Sequence, residues 1–114
     1  MSVYIHGTSE SEQKRLSLLN DVLLNQAMLR EMSLGGDERV IDFGAGLGQF
    51  SRAMARAVPR GRVVGIERNL EQLMSARRLA NEDGETNLVD FRQGDVLDLN
   101  LGAEGESFDV AHTR

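Results

Sequence analysis

The stretch Val40-Ile41-Asp42-Phe43-Gly44-Ala45-Gly46-Leu47-Gly48-Gln49-Phe50 restricts the folds open to this chain more than any other. It reads as a short apolar strand carrying an acid near its end. Glycine then recurs at three alternate positions, and a helix opens. Glycine has no Cβ, so the chain can turn sharply there and a ligand can reach bare backbone. The helix behind the turn aims free N–H groups back at it. This is the build of a nucleotide-binding strand–turn–helix. The dinucleotide fingerprint is G-x-G-x-x-G. Here Gly44, Gly46 and Gly48 are followed by Gln49, so the pattern is D-x-G-x-G-x-G. A tight strand–helix loop without a ligand gives the same string, and the rest of the chain decides.

Composition removes several alternatives. The 114 residues give room for one domain, and the absence of cysteine excludes disulfides, thiolate metal sites and cysteine nucleophiles. His6 and His112 are far apart and no His-rich or acid-cluster spacing stands out, so no metal is expected. The net charge of −5 argues against a nucleic-acid backbone as the main partner. No apolar run approaches the roughly 20 residues needed to span a bilayer. The polar N-terminus gives no sign of a cleaved leader, and a cytoplasmic protein is expected.

In chain order, residues 1–10 form a polar arm. Ser9 and Glu12 have capping-box spacing. A helix is expected from about Glu10 to Met32, with Leu16, Leu19, Val22, Leu23, Gln26 and Leu29 on one mostly apolar stripe. Gly35-Gly36 should end it. Arg39 to Phe43 reads as strand one. A second helix opens at Gly48 or Gln49 and runs to about Val58, with Phe50, Ala53, Met54 and Ala57 on one face. Pro59-Arg60-Gly61 breaks it. Arg62 to Glu67 reads as strand two. Asn69 can cap a third helix carrying Leu70, Leu73, Met74 and Ala80 and ending near Asn81 to Gly84. Asn87 to Arg92 alternates like a strand, Gly94-Asp95 turns, and residues 97–106 are an acidic loop. Ser107 to His112 reads as strand four. Alternating strands and helices predict a parallel α/β sheet. The expected division is an arm and helix at 1–33 and a Rossmann-like half-domain at 34–114.

Four motifs in this order resemble the class I S-adenosylmethionine-dependent methyltransferases. They are the glycine turn, Glu67 at the end of strand two, Gly94-Asp95-Val96, and Phe108-Asp109-Val110 in strand four. Tyr4, His6, Gly7, Ser9, Glu12, Arg15 and Leu16 resemble the entry segment of the small-molecule type related to ubiquinone and menaquinone C-methylating enzymes, with type-11 or type-25 domains.

The resemblance implies S-adenosyl-L-methionine as cofactor, S-adenosyl-L-homocysteine as product and a small-molecule methyl acceptor as partner. Asp42 would sit near the cofactor's amino group. Gly44, Ala45, Gly46 and Gly48 would meet the methionyl portion. Glu67 would accept from the ribose hydroxyls. Asp95 and the Val96 backbone would meet adenine. Tyr4 and His6 would close over the cofactor, and His112 would begin the acceptor pocket. Arg68 stands where the family favours an apolar residue against adenine, and its guanidinium could stack on the base. Each residue has a plainer alternative. Asp42 could cap the second helix, Glu67 could be a solvated strand-end acid, and Asp95 a turn residue. His112 reads first as a hydrogen-bonded wall residue and second as a general base. No catalytic residue is otherwise assigned. A module that holds the cofactor without turnover is the alternative function.

The family fold has seven strands ordered 3-2-1-4-5-7-6, and this sequence supplies four strands and three helices, which the family places on one face. The other face is expected to be a bare apolar surface, since parallel strands are normally covered on both sides. The expectation is therefore the N-terminal half of a longer enzyme, or a chain that self-associates through that face.

Overall fold

Short apolar strands joined through helices can bury both faces only as a parallel sheet with crossovers. The computed structural model describes residues 10–95 and 107–113. Its elements run α1 (Glu10–Met32), β1 (Arg39–Phe43), α2 (Gln49–Ala57), β2 (Arg62–Glu67), α3 (Leu70–Glu82), β3 (Asp90–Gln93) and β4 (Val110–Thr113). The chain divides into two units, Met1–Ser33 and Leu34–Arg114.

In the first unit α1 has the expected span but not the expected face. None of its residues is buried. Leu18 and Leu24, off the expected stripe, are exposed along with Leu19, Val22 and Leu23. The apolar residues go round the helix instead of along one side. The capping residue Ser9 lies outside the described residues. The stop is Ser33, in a left-handed conformation with φ 50, not the glycine pair. In the second unit the N–H groups of Gly35, Gly36 and Asp37 donate to the Glu38 carboxylate at 2.6, 2.8 and 3.1 Å.

The second unit is a four-stranded sheet ordered β3-β2-β1-β4, with every pair parallel. That is the first part of the order the resemblance implied. Register places Asp42 beside Gly65 and His112, and Gly65 beside Phe91. Side chains alternate across a sheet, so these four share one face, and Ile41, Val64, Asp90 and Ala111 share the other. Consecutive right-handed crossovers moving one way along a sheet put their helices on one side. α2 and α3 accordingly cover the Asp42 face. The core there joins Val40 and Val63 to Phe50, Met54 and Val58, and to Leu73, Ala76 and Ala80.

Two helix faces differ from expectation. α2 buries Phe50, Ser51, Arg52, Met54 and Ala55, leaving Ala53 and Ala57 half-buried. The helix is turned so that two polar side chains, Ser51 and Arg52, reach partners from other elements. Arg52 donates to Asp83 at 2.7 Å and to Glu85 at 2.9 Å, tying α2 to the chain beyond α3. α3 buries Leu73, Ala76 and Ala80, while Leu70 and Met74 are exposed. Small alanines let the helix approach the sheet, and the long side chains turn outward.

β3 starts at Asp90, later than expected, because Leu88 is held in a turn by a bond from its N–H to the Glu85 carbonyl at 3.0 Å. β4 starts at Val110. Asp109 before it bonds the backbone of Arg39 twice, through its own N–H at 2.8 Å and its carboxylate at 2.9 Å. On the second sheet face Ile41, Val64 and Ile66 are buried, with Phe43 and Phe108 packed against them. Among the described residues, no helix is long and apolar enough to cross a membrane, and no group of three or more His, Cys, Asp or Glu could hold a metal ion.

Two carboxylates on this framework are held below their ordinary ranges. At Asp90 the largest cause is the hydrogen bond from Arg92, opposed by burial and reinforced by the hydrogen bond from Arg62. At Glu38 the bonds from the Gly35 and Gly36 N–H groups dominate. An acid whose pKa is lower folded than unfolded stabilises the fold fully above its unfolded value, and loses that contribution as pH falls through its folded value. Stability against urea is therefore expected to be level above about pH 5 and to fall as pH drops further. The loss continues below the ordinary values of 4.5 for Glu38 and 3.8 for Asp90. Asp90→Asn should flatten part of that fall, which urea midpoints measured from pH 6 downward would read.

Candidate cofactor-binding site

The glycine turn hangs from the end of β2. The N–H groups of Gly44 and Ala45 both donate to the Ile66 carbonyl, at 2.8 and 3.0 Å. The Gly46 N–H donates to the Glu67 carboxylate at 2.9 Å. The Gly48 N–H returns to the Ala45 carbonyl at 3.0 Å. Gly48 is also the N-cap of α2, with φ 85 and no side-chain cap.

Two of the glycines serve different needs. At Gly48 a Cβ would lie 2.5 Å from the Phe91 ring, and φ is left-handed, so only glycine lets α2 start this close to β3. At Gly44, with φ +71, a Cβ would meet nothing within 4 Å. The position faces open space, which is the cleft. That cleft has a volume of about 340 Å³ and is lined by Gly44, Glu67, Arg68, Asp95 and Thr113 among others. It lies off the carboxyl ends of the strands. The chain turns back there, β2 and β3 running out on one side of β1 and β4 on the other. Ligands of open α/β sheets bind at such a switch point. A larger groove of about 450 Å³ runs along the outer edge of β3 by Arg77, Asn87 and Phe91. It contains none of the expected site residues. Arg77 also donates to the Phe91 carbonyl at 2.7 Å, which occupies a main-chain acceptor there.

The structure thus brings Gly44, Glu67, Arg68 and Asp95 around one opening, with Ala45 and Gly46 in the adjoining turn. Glu67 spans two backbone donors, Gly46 through one oxygen and Asn69 through the other, each at 2.9 Å. The Asn69 side chain accepts from the Gln72 N–H at 3.0 Å, the expected cap of α3. The Gly94 N–H donates to the Glu67 carbonyl at 3.1 Å, which sets Asp95 across the cleft. Tyr4, His6 and Val96 lie outside the described residues.

Asp42 and His112 are elsewhere. Asp42 is 2% exposed and faces α2. Its carboxylate accepts from the Ser51 hydroxyl at 2.5 Å and meets His112 Nδ1 at 2.8 Å. The His112 ring lies 4.7 Å from that of Phe50. Asp42 therefore does not cap α2, whose N-cap is Gly48. It joins β1 to α2 and β4. Thr113 at the cleft and Ser51 as the partner of Asp42 are not expected from the sequence. The signal for Ser51 was a polar residue on the buried side of α2, and for Thr113 its place one step beyond His112 in an alternating strand.

The whole of the second unit, residues 34–114, matches the model of a family described as a methyltransferase domain. The chain is 36% identical over 100 residues to the ubiquinone biosynthesis O-methyltransferase of Actinobacillus pleuropneumoniae, covering 85% of this chain and 41% of that protein. It is 33% identical over 89 residues to a ribosomal RNA uracil methyltransferase of Pseudoalteromonas translucida, covering 75% of this chain and 19% of that one. The O-methyltransferase TomG from Streptomyces achromogenes, solved in complex with S-adenosylmethionine, aligns with TM-score 0.67 and 29% identity. The match covers 79% of this chain and 42% of TomG, so the chain spans less than half the length of each of the three. With its glycine turn, parallel strand order and matched residues, the chain belongs to the methyltransferase-domain family.

Proposed function

We propose that this chain forms the S-adenosylmethionine-binding part of a methyltransferase that acts on a small molecule. The observation that carries the reading is the gathering of Gly44, Glu67, Arg68 and Asp95 around one cleft at the switch point. These residues fit that cofactor. The open space at Gly44 admits the methionyl portion to bare main chain. Each Glu67 oxygen has one N–H donor and retains a further acceptor site, which suits the two ribose hydroxyls. Asp95, which lines the same cleft, would accept from an adenine amino group. An acidic lining also suits a positive sulfonium.

When bound, S-adenosylmethionine supplies a methyl group made electrophilic by its positive sulfur. The work of this chain is to hold and align, because fixing donor and acceptor near contact removes much of the entropic barrier. Arg68 would offer its guanidinium face to the base. Asp42, 2% exposed and bonded to Ser51 and His112, serves this reading by joining β1 to α2 and β4. A small-molecule acceptor is favoured by the net charge of −5 and by two similar proteins named for ubiquinone biosynthesis and tomaymycin synthesis. The ribosomal RNA relative favours a second reading, an RNA acceptor at the same cofactor site.

Calorimetric titration with S-adenosylhomocysteine is expected to show saturable binding, weakened about tenfold by Asp95→Ala, as losing one buried hydrogen bond would give. NADH should show none. Transfer of labelled methyl to members of a small-molecule panel would support the acceptor class. Transfer to ribosomal RNA alone would overturn it, and binding without any transfer would favour a module that only holds the cofactor.

A further inference from the structure

We propose that Glu67 is a positioning residue for the glycine turn, in addition to any contact it makes with ribose. The proposal rests on the reading of the cleft as an S-adenosylmethionine site. Its own observation is the bond from the Gly46 N–H to Glu67 at 2.9 Å, which spans 21 residues of sequence. The turn has few other ties at this point. The Ile66 carbonyl secures Gly44 and Ala45, but Gly46 has no side chain and Leu47 is 41% exposed. A carboxylate acceptor makes this bond about twice as strong as a neutral one. The second oxygen is fixed by Asn69 at 2.9 Å, so the carboxylate is locked from both sides before any ligand arrives.

The ribose role and the bracing role do not compete. A carboxylate offers about four acceptor sites, and two are used here. A ligand's hydroxyls can occupy the others without releasing Gly46. Glu67 therefore links the two ends of the ligand. It holds the ribose directly, and it holds the main chain that meets the methionyl portion. Removing it loosens both contacts, although the second lies beyond the reach of its own side chain.

The test compares the 114-residue chain with Glu67→Ala and Glu67→Gln. Glutamine keeps one acceptor oxygen and turns its NH₂ toward one of the two donors, so it should behave between the other two. Amide hydrogen exchange without ligand is read at Gly46, with Val64 in β2 as the control for folding. Affinities are measured for S-adenosylhomocysteine and for 5′-methylthioadenosine, which has the ribose but lacks the amino-acid end. The expected result is faster exchange at Gly46 with Val64 unchanged. The preference for S-adenosylhomocysteine over 5′-methylthioadenosine should also fall about tenfold in Glu67→Ala. Equal losses for both ligands, with Gly46 exchange unchanged, would mean a ribose contact alone and overturn the proposal. If the unaltered chain binds neither ligand, the cofactor reading fails, and Gly46 exchange still decides for or against the brace.

Discussion

Gly48→Ala is expected to destabilise the second unit by about 2–5 kcal/mol, the sum of a left-handed alanine and an overpacked contact. The added methyl would stand 2.5 Å from Phe91 Cζ and 2.8 Å from Cε1, and 3.4 Å from Ala76. Phe91 is 7% exposed and Ala76 is fully buried, so neither has room to withdraw. A loss of this size is a large share of the 5–15 kcal/mol that holds a typical domain. Gly44→Ala makes the internal comparison. Its φ is +71, yet its Cβ would meet nothing, so only the backbone term of about 1–2 kcal/mol applies. The two variants should separate stability from binding. Gly48→Ala lowers the urea midpoint more, and Gly44→Ala lowers S-adenosylhomocysteine affinity more per folded molecule. Equal urea midpoints would contradict the packing assigned to Gly48.

Asp42→Ala should be of similar size, about 2–4 kcal/mol, because it strands one buried and one half-buried partner at once. The Ser51 hydroxyl and His112 Nδ1 would both lose the carboxylate that joins them. Ser51 is fully buried, so water cannot easily replace the bond. Removing the partners as well, with Ser51→Ala and His112→Phe added, should recover part of the loss, since polar groups are costly mainly when left unpaired. Urea denaturation of the single and triple variants measures this. The triple variant falling further by the full sum would show that the three side chains act independently. Ligand affinity per folded molecule should change less than tenfold in Asp42→Ala. A direct contact between its carboxylate and the cofactor's amino group would predict a larger change.

The difference between Asp42 and Glu67 shows what a sequence can and cannot display. Both are acids at the ends of apolar strands, and both have a motif position. Register separates them. Asp42 pairs with Gly65, two residues short of Glu67, so it lies deeper in the sheet on the helix side. Glu67 is the last residue of β2 and reaches the rim. β1 and β2 were legible in full because each is a bounded apolar run, closed by the glycine turn or by Asn69. The start of β3 is hidden in the sequence because Asn87 to Val89 alternate like a strand while their backbone forms a turn. The buried side of α2 was misread because Ser51 and Arg52 are polar. Their partners, Asp42, Asp83 and Glu85, come from segments that only the fold brings near.

The most direct measurement is an amide NMR titration of the chain with S-adenosylhomocysteine. The account predicts saturable shifts at Gly44, Ala45, Gly46, Glu67, Arg68 and Asp95, which surround the cleft. Asn87 and Arg77, in the groove along β3, should stay unchanged. Shifts centred on that groove, or no saturable shifts in a folded chain, would contradict the assignment of the cleft.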